Sequence, residues 1–158
     1  MNKPFPCQQW WGFLLYLRMD ISISINEDSV YNDVYVVTGH TAKALDQMDK
    51  VSATEDESNV LSPFLLEASS ELSEVISAYG SLSYSGEAIS VDLSLPSNWK
   101  QNAKSSLEKA MHNFLVNGVC AKWFAISNRE DVKFYMDKQS VNASNIIKLL
   151  CERTRPTR

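Results

Sequence analysis

The segment LEKAMHNFLVNGVCAKWFA, residues 107–125, decides the fold. Leu107, Ala110, Met111, Phe114 and Leu115 recur at three- and four-residue steps, the period of one helix face. From Val116 the pattern changes, because Val116, Gly118, Val119, Cys120, Ala121, Trp123, Phe124 and Ala125 leave almost no polar side. A helix that is apolar all round belongs at the centre of a bundle or inside an interface between chains. Gly118 costs about 1 kcal/mol of helix propensity against Ala, and its use there is close approach of a neighbouring helix.

The flanks of this helix carry the next signals. On its N-terminal side Ile89, Val91, Leu93 and Leu95 alternate with Ser90, Asp92 and Ser94, which predicts a half-buried strand that Pro96 ends. Ser97 or Asn98 is the expected cap, with Trp99 in the first turn. On the C-terminal side Asn128 is the expected cap of a fourth helix, with Glu130 and Asp131 in its first turn. Val132, Tyr135, Met136, Ala143, Ile146, Ile147 and Leu150 supply that helix with an inner face.

Nearer the start, Ile21, Ile23 and Ile25 alternate with Ser22 and Ser24, the period of a first strand. Asn26 caps a helix from Glu27 to about Met48, whose apolar face is Val30, Val34, Val37, Thr41, Ala44, Leu45 and Met48. Thr54 and Glu57 have capping-box spacing, and Glu55 and Asp56 between them favour the positive end of a helix dipole. Leu61, Phe64, Leu65, Ala68, Leu72, Val75, Ile76 and Tyr79 then trace a second helix to Gly80, kinked but continuous at Pro63. Ser81 to Gly86 reads as a loop. The expectation is an α+β fold, predominantly helical, of order β-α-α-β-α-α, with a four-helix core and two short strands.

Residues 19–158 read as a single helical domain with a basic tail from about Arg153. The stretch 1–18, with Trp10, Trp11 and Phe13 to Leu17, reads as a non-native apolar N-terminal extension appended by an upstream start, Met19 opening the first periodic segment; the alternative is an apolar anchor that docks on a partner or membrane surface. It is shorter than the roughly 20 apolar residues of a membrane span, and no A-x-A-like cleavage site follows it.

Composition bounds the function. The 158 residues are 44% hydrophobic and 22% charged, as in a folded globular domain. Cys7, Cys120 and Cys151 form no CxxC pair, which predicts reduced thiols, with Cys120 a buried structural one. The net charge of −4 hides a division. Residues 1–96 carry 4 Lys/Arg against 14 Asp/Glu, net −10, and residues 97–158 carry 11 against 5, net +6. Such a chain can meet copies of itself head to tail or offer a basic face to nucleic acid, unless the halves simply pair across one folded domain.

No chemistry-bearing motif stands out. No phosphate-binding glycine loop, G-x-S-x-G or metal-ligand spacing occurs, so no catalytic, cofactor or metal residue is expected and the chain is not expected to be an enzyme. His112 and Cys120 are eight residues apart on one helix, about 12 Å at a 1.5 Å rise, too far to act together. His40 reads as a surface or partly buried histidine. Glu67, Glu71 and Glu74 lie at helical spacing without the His partners of a di-iron site, so a solvated row is expected. Trp99, Trp123, Phe124 and Tyr135 could stack on bases, but their spacing puts most of them on core stripes.

A resemblance narrows the class. Met19-Asp20-Ile21-Ser22-Ile23-Ser24-Ile25, Ala53-Thr54-Glu55-Asp56-Glu57, Val91-Asp92-Leu93-Ser94-Leu95-Pro96, Phe114-Leu115-Val116-Asn117 to Ala121-Lys122-Trp123-Phe124 and Arg155-Pro156-Thr157-Arg158 carry it. Over roughly residues 19–158 the chain resembles small proteins encoded in structural modules of phages and prophages of Bacteroides-type bacteria. More loosely, it is similar to head–tail connector (adaptor) proteins, which form rings below the portal. The resemblance implies a virion structural or assembly protein, a connector, neck or tail-completion subunit. Its partners would be further copies of itself and portal or tail proteins, first in the bacterial cytoplasm and then in the virion. The candidate interface charges are Glu55, Asp56 and Glu57 on one side and Arg153, Arg155 and Arg158 on the other. The alternative is a nucleic-acid-binding or regulatory module using the basic C-terminal half, against which a pI near 5.2 weighs.

Overall fold

The computed structural model describes residues 18–154. Among them the order is β1 (Arg18–Asn26), α1 (Glu27–Leu45), a single-turn α2 (Met48–Val51), α3 (Ser58–Ile76), β2 (Gly80–Tyr84), β3 (Ala88–Pro96), α4 (Lys104–Ser127) and α5 (Val132–Leu150). Short 3-10 turns at Glu55–Glu57 and Gln101–Ala103 lead into α3 and α4. The fold is α+β and predominantly helical, four long helices against a small antiparallel sheet. Of the expected extension over residues 1–18 only Arg18 is described, and it opens β1; the rest lies outside the described residues.

α4 is the central element, as its residues require. Leu107, Met111, Leu115, Val119, Cys120 and Phe124 on it are fully buried, with α1, α3 and α5 packed around it. Gly118 sits where the helices come closest. A Cβ there would stand 3.1 Å from Ala68 Cβ on α3 and 2.7 Å from Gln139 Nε2 on α5. Trp99, Trp123, Phe124 and Tyr135 are all buried, and the indole nitrogens of Trp99 and Trp123 donate to Leu149 O and Val51 O. They are core residues whose polar tips are satisfied.

The sheet has order β1-β3-β2, with β3 central and both neighbours antiparallel to it. β1 pairs with β3 over nine residues without a bulge, from Arg18 opposite Pro96 to Asn26 opposite Ala88. Ile23, Ile25, Ile89, Val91, Leu93 and Leu95 turn to the helices and are buried. The outer face is small and polar: Ser22 Oγ donates to Asp92 Oδ1 at 2.6 Å, and Ser24 stands opposite Ser90.

Four expectations are corrected. The segment after Gly80 is β2, paired from Gly80↔Leu93 to Tyr84↔Ile89, and only its last residues form the turn, with Gly86 at φ 87°. A strand with only Leu82 and Tyr84 to bury gives too short an alternation to stand out. α4 starts later than Ser97 or Asn98, because this stretch holds the other end of the chain. Asn98 O accepts from Thr154 N, and Lys100 N donates to Glu152 O. Asn128 closes α4 rather than capping α5: its N–H donates to Phe124 O and its side chain to Asp131 Oδ2. α1 ends at Leu45, where Asp46 takes a left-handed conformation. α3 is continuous through Pro63, and both Pro63 and Asn59, the carbonyl it cannot serve, are exposed to water.

Cys151 is disulfide-bonded, which overturns the expectation of reduced thiols at that residue. Cys120 is free and fully buried.

Candidate functional site

A groove of about 500 Å³ lined by convergent polar groups lies beside β1. It exists because β1 is an edge strand whose outer side has no strand partner among the described residues. The N-terminal half of α4 runs past this edge, so Ser105, Glu108, Lys109 and His112 line one wall, at the i, i+3, i+4, i+7 positions of one helix face. Ser24, Ile25 and Asn26 of β1 and Ser29 of α1 line the other.

His112 is held in place by α1. Its Nε2 lies 2.7 Å from Asp33 Oδ2, with the imidazole mostly covered and the carboxylate mostly exposed. The two residues are 79 apart in sequence, and no local pattern pairs them. Asn26, at the groove's end, spends its carboxamide on the N-terminus of α1 by accepting from Ser29 N–H. Among the described residues, Glu108 and Lys109 in the groove form no ion pair, and the His112 imidazole is already partnered by Asp33.

The six charges named from sequence are not brought together. Glu55 and Asp56 are exposed on the turn before α3. Glu57 points back along the chain and accepts from Thr54 N at 2.7 Å, completing a helix-start box. Arg153 is folded onto the end of α5, where its Nη1 donates to Leu150 O and Glu152 O, and burial lowers its pKa. Arg155 and Arg158 lie outside the described residues.

Charge from the two halves of the chain does pair within the fold. Lys122 on α4 reaches Glu71 at 2.7 Å and Glu67 at 3.4 Å on α3, and Gln139 on α5 donates to the other oxygen of Glu71. Glu71 and, more weakly, Glu67 of the α3 row therefore serve helix packing, whereas Glu74 is exposed to solvent. His40 is exposed. Among the described residues no group of three or more His, Cys, Asp or Glu is arranged to hold a metal ion, and no helix is long and apolar enough to cross a membrane.

Burial shifts several proton equilibria. The Cys120 thiol is pushed up to about 12, first by desolvation. Tyr31 is raised further still, by burial and then by Glu27 beside it. Glu27 Oε2 and Tyr31 OH are buried without a well-directed hydrogen-bond partner, although the pair lies close enough for the carboxylate to act on the phenol. The corner they share with the half-buried Tyr84 and the exposed Ser62 lies at the joint of α1, α3 and β2.

Comparison with family models, curated proteins and solved structures yields no match.

Proposed function

We propose that this chain is a structural or assembly subunit that works in several copies, of the class to which phage head–tail connector, neck and tail-completion proteins belong. The observation that carries the assembly reading is the open edge of β1. Among the described residues, alternate residues of this nine-residue strand turn backbone N–H and C=O groups away from β3 without a strand partner, and no internal Lys, Pro or bulge blunts the edge. Natural sheets protect such edges, since an unprotected one is a template for another chain. The surface of α5 adds to this, with Phe134 and Val141 more than half exposed on one stripe and Met136 and Ile147 on another. The phage setting rests on the sequence resemblance alone. In this reading the chain carries no reaction of its own.

Light scattering of the full chain at rising concentration, together with titration of mixed-sequence DNA at physiological salt, tests the reading. Mass above that of one chain and no DNA binding are expected. A single-chain mass at every concentration, with tight salt-sensitive DNA binding, would replace assembly with the nucleic-acid module.

A further inference from the structure

We infer that β1 pairs with β1 of a second copy, antiparallel about a two-fold axis at Ser22, joining two sheets into one of six strands. The inference rests on the assembly reading and names the partner and register within it. Only a centre at Ser22 pairs all nine residues of Arg18–Asn26 with all nine of the second copy. The alternative edge, β2, offers five residues and leaves nearly half of β1 unpaired.

The two-fold register is chemically consistent along its length. It sets Met19 against the second copy's Ile25 and Ile21 against its Ile23, so the apolar face stays on the helix side of both sheets. Met19 and Ile21 are the two residues of that face left only partly buried, whereas Ile23 and Ile25 are buried. Pairing covers the two that need it. On the outer face Asp20 meets Ser24, Arg18 meets Asn26, and Ser22 meets itself, so no like charges face each other across the strands.

The groove gives the register its second support. It is lined by Ser24, Ile25 and Asn26 on β1, and these are the positions opposite the second copy's Asp20, Met19 and Arg18. Met19 of the second copy, on the helix-side face, therefore arrives beside Ile25 at the groove below α4. By symmetry the same contacts form twice, as an isologous interface requires.

Cysteine cross-linking of the full chain tests the register, because residues directly opposite in an antiparallel pair have Cβ atoms about 5 Å apart, within small adjustment of a disulfide. Ser22→Cys should cross-link to a dimer under mild oxidation, while Ser24→Cys alone and the unmodified chain should not. A mixture of Asp20→Cys with Ser24→Cys should give the mixed dimer, which keeps the test open if loss of the Ser22–Asp92 hydrogen bond unfolds the first variant. Equal cross-linking of Ser24→Cys with itself would overturn the register. A mass above one chain with no cross-link at either pair of positions would overturn the β1 pairing and leave the assembly reading standing. A single-chain mass throughout would overturn both.

Discussion

Thr38 shows how much a single side chain can hold in this fold. It is fully buried on α1, its hydroxyl donates to Val34 O, and the same oxygen accepts from Ala53 N at 3.0 Å. The loop that carries the chain from α1 to α3 is fixed at that point. Thr38→Val keeps the shape and strands the Ala53 N–H, so it should cost about 1–3 kcal/mol in denaturant unfolding. Proton equilibria act at the same scale. Cys120, Tyr31, Tyr79, Tyr84 and Tyr135 all have pKa values raised above 9.0 or 10.0, with burial the first cause in each. A folded-state pKa raised above the unfolded one gives stability that is full below the unfolded value and is lost as pH rises past it. These groups should therefore not affect the melting temperature below about pH 9 and should lower it above, with Cys120 labelling appearing together with unfolding. Labelling of Cys120 in the native chain at pH 8 would contradict its burial. Residues of this kind were legible in part: the interior place of Cys120 follows from its helix, but Thr38, polar on the buried face one turn after Val34, gives no sign of its second partner.

At the scale of elements, period decided what could be read. β1 and β3 alternate over long enough runs to be recognised, and the apolar girth of α4 announces a central helix. β2 is missed because two apolar residues make no pattern; the helix start after Pro96 is displaced by tertiary hydrogen bonds to Glu152 and Thr154, and the one at Asn128 by that residue's own local bonds to Phe124 and Asp131. Gly80 marks β2 more firmly than its hydrophobicity does. A Cβ on it would stand 1.9 Å from Asp92 O, backbone that cannot move without breaking the sheet. Gly80→Ala should destabilise the chain by about 1–3 kcal/mol. Gly118→Ala should do less, because its nearest obstacle, the Gln139 carboxamide, can swing away and the substitution regains helix propensity. Comparison of the two variants by thermal melting checks the order.

For the whole molecule, the decisive property is the strand order. Alternation in Ile21–Ile25 and Ile89–Leu95 reveals two strands but not that β3 stands between the others, so the open edge of β1 and the groove beside α4 were invisible from sequence. The same holds for Asp33 and His112, which meet only because α1 packs on α4. The charge division along the chain was legible, yet part of it is consumed internally by Lys122 with Glu67 and Glu71. Under the assembly proposal, the nine-residue edge of β1 is the surface offered to a second copy. Amide hydrogen exchange across residues 18–26 of the full chain, dilute and concentrated, tests its use most directly. Assembly through β1 predicts that the amides facing away from β3 exchange fast when dilute and become protected as concentration rises, with those facing β3 protected throughout. Fast exchange of the outward amides at every concentration, while the mass of the particle grows, would contradict it.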